Sequence, residues 1–358
     1  MTDVEWEDGT DEEWEEGDEE REEDGEEWDE APELADLGGL LVTEDLPTDH
    51  RSGFVAVLGK PNVGKSTLMN AYLGQKVAIV SPKPQTTRNR LLGILTLEKA
   101  EGDLADAQIV FVDTPGIHRP LHKLGKYMVD AAVRAIPDAD LILFLVDVSQ
   151  PPSDEDRQIA TLLHREAEVP VLLGLNKLDQ ASPDEAAAHA EAYRALGQAV
   201  DSILFSALKG QGRDQLLEAI VEHLPIGPRY FPKEQVTDQE LRFMAAELVR
   251  EQVLLHLHEE VPHSVAVVVD QFKERSESLT YISANIFVER DTQKAIILGR
   301  DGRMIKQIGR DARVQIEALL DTRVYLELWV KVKKKWRKDE RELRRMGYAA
   351  SRGKGGTR

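Results

Sequence analysis

The chain has 358 residues, 41% of them hydrophobic, a formal net charge of −21 and no cysteine. That length suits two domains better than one, and without cysteine neither a disulfide nor a thiolate metal site can form. No apolar run approaches the roughly 20 residues of a membrane span, and the acidic N-terminus lacks the basic and apolar regions of a signal peptide.

The charge is unevenly spread. Residues 1–50 hold 24 Asp and Glu against Arg21 alone, and residues 331–358 hold 12 Lys and Arg against three acids. The 308 residues after position 50 sum to only +2. A basic end of this kind is a cue for contact with nucleic acid or an acidic surface.

In chain order, residues 1–50 read as an acidic, disordered extension carrying Trp6, Trp14 and Trp28. Its like charges repel and it has little to bury. From Gly53 onward, short apolar runs at 54–58, 109–112, 141–146, 171–175 and 203–205 alternate with helical patterns such as 155–164 and 214–224. Buried strands alternating with helices predict an α/β domain with a mostly parallel sheet flanked by helices.

Pro225-Ile226-Gly227-Pro228 reads as a domain linker. Thr237 and Glu240 have capping-box spacing and predict a helix from 237 to about 258. Strands at 265–269, 281–288 and 325–332, a Gly-flanked loop at 299–302 and a helix at 304–320 predict a smaller α+β domain. The expected boundaries are therefore 1–50 (extension), 51–226 (first domain), 227–236 (linker), 237–337 (second domain) and 338–358 (basic tail).

Gly59-Lys60-Pro61-Asn62-Val63-Gly64-Lys65-Ser66 matches a P-loop, between a predicted strand and a predicted helix. Gly59 and Gly64 let backbone N–H groups curl around anionic oxygens, and the helix N-terminus adds its dipole. Lys65 can reach β- and γ-phosphates, and the Ser66 hydroxyl can coordinate Mg²⁺. The candidate nucleotide contacts run from Gly59 through Ser66 to Thr67.

Asp113-Thr114-Pro115-Gly116 ends the next major apolar run. Asp113 can hold Mg²⁺ through water, and the Gly116 N–H can bond a γ-phosphate and lose that bond on hydrolysis. Asn176-Lys177-Leu178-Asp179 follows another strand. The Asp179 carboxylate can accept from both the ring N–H and the amine of guanine, which selects GTP over ATP. Asn176 can brace the loop or the base, and the Lys177 stem can cover the base. Ser206-Ala207 resembles the last base-contacting loop, with the Ala207 N–H as donor to the guanine carbonyl. Between P-loop and Asp113, residues 81–90 read as a mobile loop. Within it Thr87 is favoured over Thr86 to complete the Mg²⁺ shell. No side-chain base is evident, and transition-state support is expected from Lys65, Asn62 and Gly116.

Gly299-Arg300-Asp301-Gly302 precedes a helix, an arrangement that lets a nucleic-acid backbone approach closely. Arg300, Arg303 and Lys306 add charge at this loop, and Lys331, Lys333 and Lys334 extend the phosphate-attracting surface.

On these residues the chain resembles the bacterial Era GTPases over about residues 51–337. The most specific segments are the P-loop, Pro84-Gln85-Thr86-Thr87-Arg88, Asp113-Thr114-Pro115-Gly116-Ile117-His118 and Leu124-Gly125-Lys126-Tyr127-Met128. The resemblance implies that the Gly-x-x-Gly loop belongs to a KH domain. It also implies GTP and GDP as ligands and the 3′ end of 16S ribosomal RNA as target, during 30S subunit assembly. A hydrophobic residue such as Ile117 stands in this family where many GTPases have a water-orienting Gln. By similarity to related GTPases, Asn62 can help hold a K⁺ ion. A cytoplasmic monomer is expected, with a peripheral contact on the inner face of the cell membrane as a lesser alternative. The acidic extension departs from the family pattern and inherits no role from it.

Overall fold

The computed structural model describes residues 46–98, 106–118, 122–197 and 199–348. The acidic extension up to residue 45 and the basic residues 349–358 lie outside the described residues, and with them the expectation of disorder for the extension.

Six strands form the first sheet: β1 (Arg51–Leu58), β2 (Leu91–Leu97), β3 (Ala107–Asp113), β4 (Leu141–Asp147), β5 (Val171–Asn176) and β6 (Asp201–Leu204). Their order is β2-β3-β1-β4-β5-β6. Only β2 is antiparallel, paired to β3 from Leu91 opposite Asp113 to Leu97 opposite Ala107. Strands β3 and β4 are buried along their whole lengths, which explains why they read as unbroken apolar runs. Around the sheet lie α1 (Lys65–Leu73), α2 (Lys123–Arg134), α3 (Asp154–Glu166), α4 (Pro183–Arg194) and α5 (Arg213–His223). The two faces carry separate apolar cores, one centred on Phe54, Val110 and Phe144, the other on Val55, Phe111 and Leu143. Strand β2 escaped the sequence reading. Gly93 interrupts its apolar pattern, because α1 crosses so closely that a Cβ there would lie 2.7 Å from Met69 Sδ.

The second unit has a three-stranded sheet of β7 (Ala266–Ser276), β8 (Leu279–Val288) and β9 (Arg323–Val332), in that order. Strand β7 is antiparallel to β8, and β9 is parallel to it. Helices α6 (Leu241–His256), α7 (Asp291–Leu298) and α8 (Arg303–Leu320) accompany it. Val267, Ile282, Ala284, Ile286 and Val330 form its core with Val249 and Val253 of α6 and Ile308 and Ile316 of α8.

Three expectations are corrected. Helix α6 starts at Leu241, with Glu240 as an N-cap that makes no side-chain bond. Thr237 is not a cap: its Oγ1 donates to Leu92 O at 2.7 Å, while Ile94 N donates to Val236 O at 2.8 Å. Those residues extend the edge of β2 instead. The linker is likewise held down. Ser52 Oγ donates to Pro228 O (2.5 Å), and the Gln108 amide bonds the backbone of Tyr230 and Phe231.

The third correction concerns the tail expected from 338. Residues 336–338 form a single 3₁₀ turn and α9 spans Glu340–Arg345. Trp336, Leu343, Met346 and Tyr348 are buried with Leu124 and Met128 of α2 and Ala266 of β7. Leu343 on α9, with Trp336 before it and Met346 and Tyr348 after it, gives the basic segment apolar surface to bury and so a reason to fold back.

Candidate functional site

The P-loop leaves β1 at Leu58 and enters α1 at Lys65. Its tight curl shows in Asn62 at φ 63° and Gly64 at φ 103°. A Cβ on Gly64 would collide with the Asn176 amide. Lys65 is buried, and its Nζ donates to Gly59 O and Lys60 O, both at 3.1 Å. Burial draws its pKa down to about 8, opposed by the nearby Asp113 carboxylate. Lys60 faces elsewhere, pairing with Asp156 at 2.8 Å at the start of α3. Asn62 Nδ2 donates to Pro82 O at 2.9 Å and so touches the loop at 81–90.

The three residues expected around Mg²⁺ converge. Ser66 Oγ donates to Asp113 Oδ2 (2.7 Å), Thr87 Oγ1 donates to the same oxygen (3.2 Å), and the two hydroxyls lie 2.9 Å apart. Thr86 turns away, donating to Lys83 O at 2.7 Å. Burial pushes the Asp113 pKa upward, against the pull of Lys65, Ser66 and Thr87. Its other oxygen, Oδ1, is buried without a hydrogen-bond partner. Two hydroxyls and one carboxylate, one of whose oxygens is unmatched, beside a phosphate loop fit a hard cation such as Mg²⁺, which prefers few protein ligands.

Gly116 lies against the P-loop: a Cβ there would sit 2.6 Å from Pro61 N. The Ile117 N–H donates to Gly59 O (3.2 Å), and its side chain packs on the first core. Thr114, expected at the nucleotide, gives its hydroxyl to Val57 O (2.8 Å) and shapes the strand end instead. His118 Nδ1 donates to Gly116 O (2.8 Å), which leaves Nε2 to accept from the Gln85 amide at 3.0 Å. The loops after β3 and before β2 are thereby joined.

At the base end, Asn176 is a brace. Its Nδ2 donates to Val63 O (2.7 Å) and its Oδ1 accepts from Ala207 N (2.8 Å). The Ala207 N–H assigned to guanine is therefore engaged with Asn176 in this arrangement. Asp179 Oδ1 accepts from Ser206 Oγ at 2.5 Å, and Lys177 pairs with Asp147 at 2.6 Å.

Sequence reasoning missed the side chains that tie this site to the second unit. Arg88 is buried, donating from Nη1 to Val265 O (2.6 Å) and from Nη2 to His263 O (3.3 Å), with Tyr348 against its guanidinium. Arg250 of α6 is buried and donates to Thr86 O while paired with Glu247. Glu251 accepts from Val80 N at 2.9 Å and pairs with Lys76. One signal for two of them was available: Arg250-Glu251-Gln252 puts three consecutive polar residues between the apolar pairs Leu248-Val249 and Val253-Leu254.

Around the Gly-x-x-Gly loop, Gly299, Asp301 and Gly302 have φ of 67°, 54° and 70°. A Cβ on Gly302 would meet nothing nearer than 3.9 Å, so its backbone is open to approach. The Arg300 and Arg303 side chains are largely exposed, and Lys306 is exposed on the first turn of α8. Lys331 and Lys334 are exposed, but Lys333 pairs with Glu342 of α9 at 2.8 Å. Lys331 belongs to the sheet face opposite α8, so the expected basic surface is split between two sides of the domain.

A phosphate loop, a Ser/Thr/Asp cluster, an Asn-Lys-x-Asp segment at the end of β5 and a Gly-x-x-Gly α+β unit define a P-loop GTPase joined to a KH-type domain. Matching family models agree, one for a 50S ribosome-binding GTPase over residues 54–177 and one for a KH domain over 260–337. GTPase Era of Thermotoga maritima is 49% identical over 291 residues, 81% of this chain and 94% of that protein. GTPase Era of a Nostoc species is 47% identical over 317 residues, covering 88% and 95%. Two solved structures superpose with a TM-score of 0.79 at 39% identity, covering 84% of this chain and 100% of theirs. One is an Aquifex aeolicus Era variant bound to GDP·AlF4⁻; the other is Era with MgGDPNP and nucleotides 1506–1542 of 16S ribosomal RNA. The chain belongs to the Era family of GTPases.

Proposed function

We propose that this protein hydrolyses GTP as a switch that binds the 3′ end of small-subunit ribosomal RNA during 30S assembly. The carrying observation is the bridge between the two halves: Thr86, next to the cluster residue Thr87, is held by Arg250, and Arg88 is held by the carbonyls of 263 and 265. Ordering the loop around a γ-phosphate thus has a direct path into the RNA-binding unit. The Era relative solved with GDPNP and 16S RNA supports the choice of ligands.

In this reading Ser66, Thr87 and Asp113 hold Mg²⁺, which supplies charge neutralisation on the β- and γ-phosphates when bound. Lys65 and the backbone of 59–67 cradle the phosphates, Gly116 presents its N–H to the γ-phosphate, and Asp179 selects guanine. Water attacks the γ-phosphorus in line as the bond to GDP breaks. Ile117 is packed away and supplies no base, so turnover is slow until RNA or the ribosome assists. The Asn62 amide nitrogen is engaged with Pro82, and its oxygen is the donor a K⁺ ion would use. The GTPase unit runs from 51 through the residues at 236–237 that extend the edge of β2, and the RNA unit begins with α6 at Leu241. Arg300 and Asp301 lie within the RNA-clamping loop, and Arg303 and Lys306 follow it on the first turn of α8.

A cytoplasmic monomer belongs to this reading. No described helix is long and apolar enough to cross a membrane. Burial of Leu343, Met346 and Tyr348 gives little support to a lipid-seeking tail.

The test is binding to an RNA copying the 16S 3′ end, with GDP and with a non-hydrolysable GTP analogue, at two salt concentrations. Tighter binding with the analogue and preference over scrambled RNA are expected. Equal, weak and wholly salt-dependent binding would remove the RNA output.

A further inference from the structure

The sheet of the second unit buries one face under α6 and α8. Along β8 and β9, Ile282, Ala284, Ile286, Val324 and Val330 point into that core. Side chains alternate across a strand, so Tyr281, Tyr325, Glu327, Trp329 and Lys331 belong to the other face. At one end that face is closed by the chain itself, where Ala266, Val268 and Phe287 pack on Trp336 and Tyr348. At the other end it is open, and what it shows there is aromatic and basic.

Trp329 and Tyr325 are 58% and 55% exposed, the largest aromatic side chains left in solvent among the described residues. Tyr325 stacks on its register partner Tyr281, with ring centroids 6.0 Å apart and an interplanar angle of 23°. Arg275 lies over the Tyr281 ring at 4.3 Å. Lys273 is opposite Tyr281 in the β7–β8 register, and Arg323 and Lys331 lie on β9 at either end of the Tyr325–Trp329 row. The one acid of the row, Glu327, accepts from the Tyr281 hydroxyl at 2.7 Å. Four cations around three aromatic rings, with a single carboxylate, make a surface complementary to a polyanion that offers flat bases. The core of a protein–protein interface is depleted of Lys and Glu, whereas here Glu327 lies between Tyr325 and Trp329 and lysines border the rings.

We propose that this open sheet face is a second RNA-contact surface, on which Tyr325 and Trp329 stack unpaired bases while Lys273, Arg275, Arg323 and Lys331 attract the phosphates. It is distinct from the Gly-x-x-Gly loop, which lies at the α7–α8 junction. The assignment rests on the RNA reading above and extends it to a strand longer than the loop alone can hold. Rings already exposed and partly stacked lose little freedom when a base arrives. The carboxylate of Glu327 adds an acceptor for base amines.

The probe is a fluorescein-labelled oligoadenylate of about 12 nucleotides, within the span of single-strand binding sites, titrated against the full chain. Y325A/W329A should weaken binding roughly five-fold or more, the loss expected for one stacked base, and leave the slope of log K against log salt unchanged. W329F should restore most of the affinity, which separates stacking from a folding defect. R300A/R303A should weaken binding with a shallower salt slope. If the aromatic pair changes affinity less than two-fold while the arginine pair weakens it, the platform is wrong and the loop reading stands. If neither pair matters, both fall. A shallower salt slope from Y325A/W329A would also refute stacking, because aromatic residues release no counterions.

Discussion

Replacing Arg250 by Met keeps a long apolar stem in α6 but removes a fully buried cation. Two things are lost: the charge-assisted bond to Thr86 O and the pairing that occupies both oxygens of Glu247. Glu247 is 18% exposed and can recover part of its solvation, but the Thr86 carbonyl loses its tether to α6. A hydrogen bond to a charged donor contributes about 1.5–3 kcal/mol. Arg88 and Glu251 still hold the loop on either side, so about 2 kcal/mol is assigned to its ordering. That is roughly a thirty-fold shift in equilibrium. The ordered loop is what presents Thr87, so the loss should fall on the triphosphate state. Affinity for a fluorescent GTP analogue in Mg²⁺ should drop by about that factor. Affinity for GDP should change less than three-fold or so, because the P-loop, Asn176 and Asp179 are untouched. Stopped-flow titration with both nucleotides, alongside thermal melting, makes the measurement. A parallel fall for GDP and the analogue, or no change in either, would refute the reasoning.

Two further outcomes follow from single contacts. G116A forces a Cβ to within 2.6 Å of Pro61 N, a backbone atom that cannot swing aside. The loop should retreat, lowering the rate of GTP hydrolysis about a hundred-fold or more, the scale of a lost transition-state donor, while GDP affinity persists; unchanged single-turnover kinetics would contradict this. His263 is held neutral below the usual imidazole range, first by burial and then by Arg88, Arg337 and Lys83. The unfolded chain takes up a proton near pH 6.5 that the folded protein refuses, so stability falls as pH drops from there toward the folded value. Melting temperatures of H263N and the parent should therefore converge between about pH 7.5 and 5.5, through a steeper fall in the parent. Parallel curves would show that His263 does not carry the effect.

The nucleotide chemistry was legible in the chain because its parts are local. Gly59 to Ser66, Asp113 to Gly116 and Asn176 to Asp179 each sit in a few consecutive residues at a strand end, where a parallel sheet must place its ligand. The core strands were legible for the same reason: burial on both faces leaves unbroken apolar runs. Strand β2 was not, because its Gly93 serves a helix crossing rather than an alternation. Thr237 failed as a cap because its backbone bridges the edge of β2 at Gly93 and the helix starts only at Leu241.

What only the tertiary structure decided lies between segments far apart in the chain. It turned Thr87 rather than Thr86 toward Asp113, used Asn176 to brace two loops, and folded the basic segment up to Tyr348 onto α2. It also divided the cations of the second unit between the Gly-x-x-Gly loop and the open sheet face, and joined Thr86 to Arg250 and Arg88 to Val265. Residue types and local spacing state which groups can do phosphate chemistry. Which buried cation finds which carbonyl depends on how two cores pack together, and no local period in the chain encodes that contact.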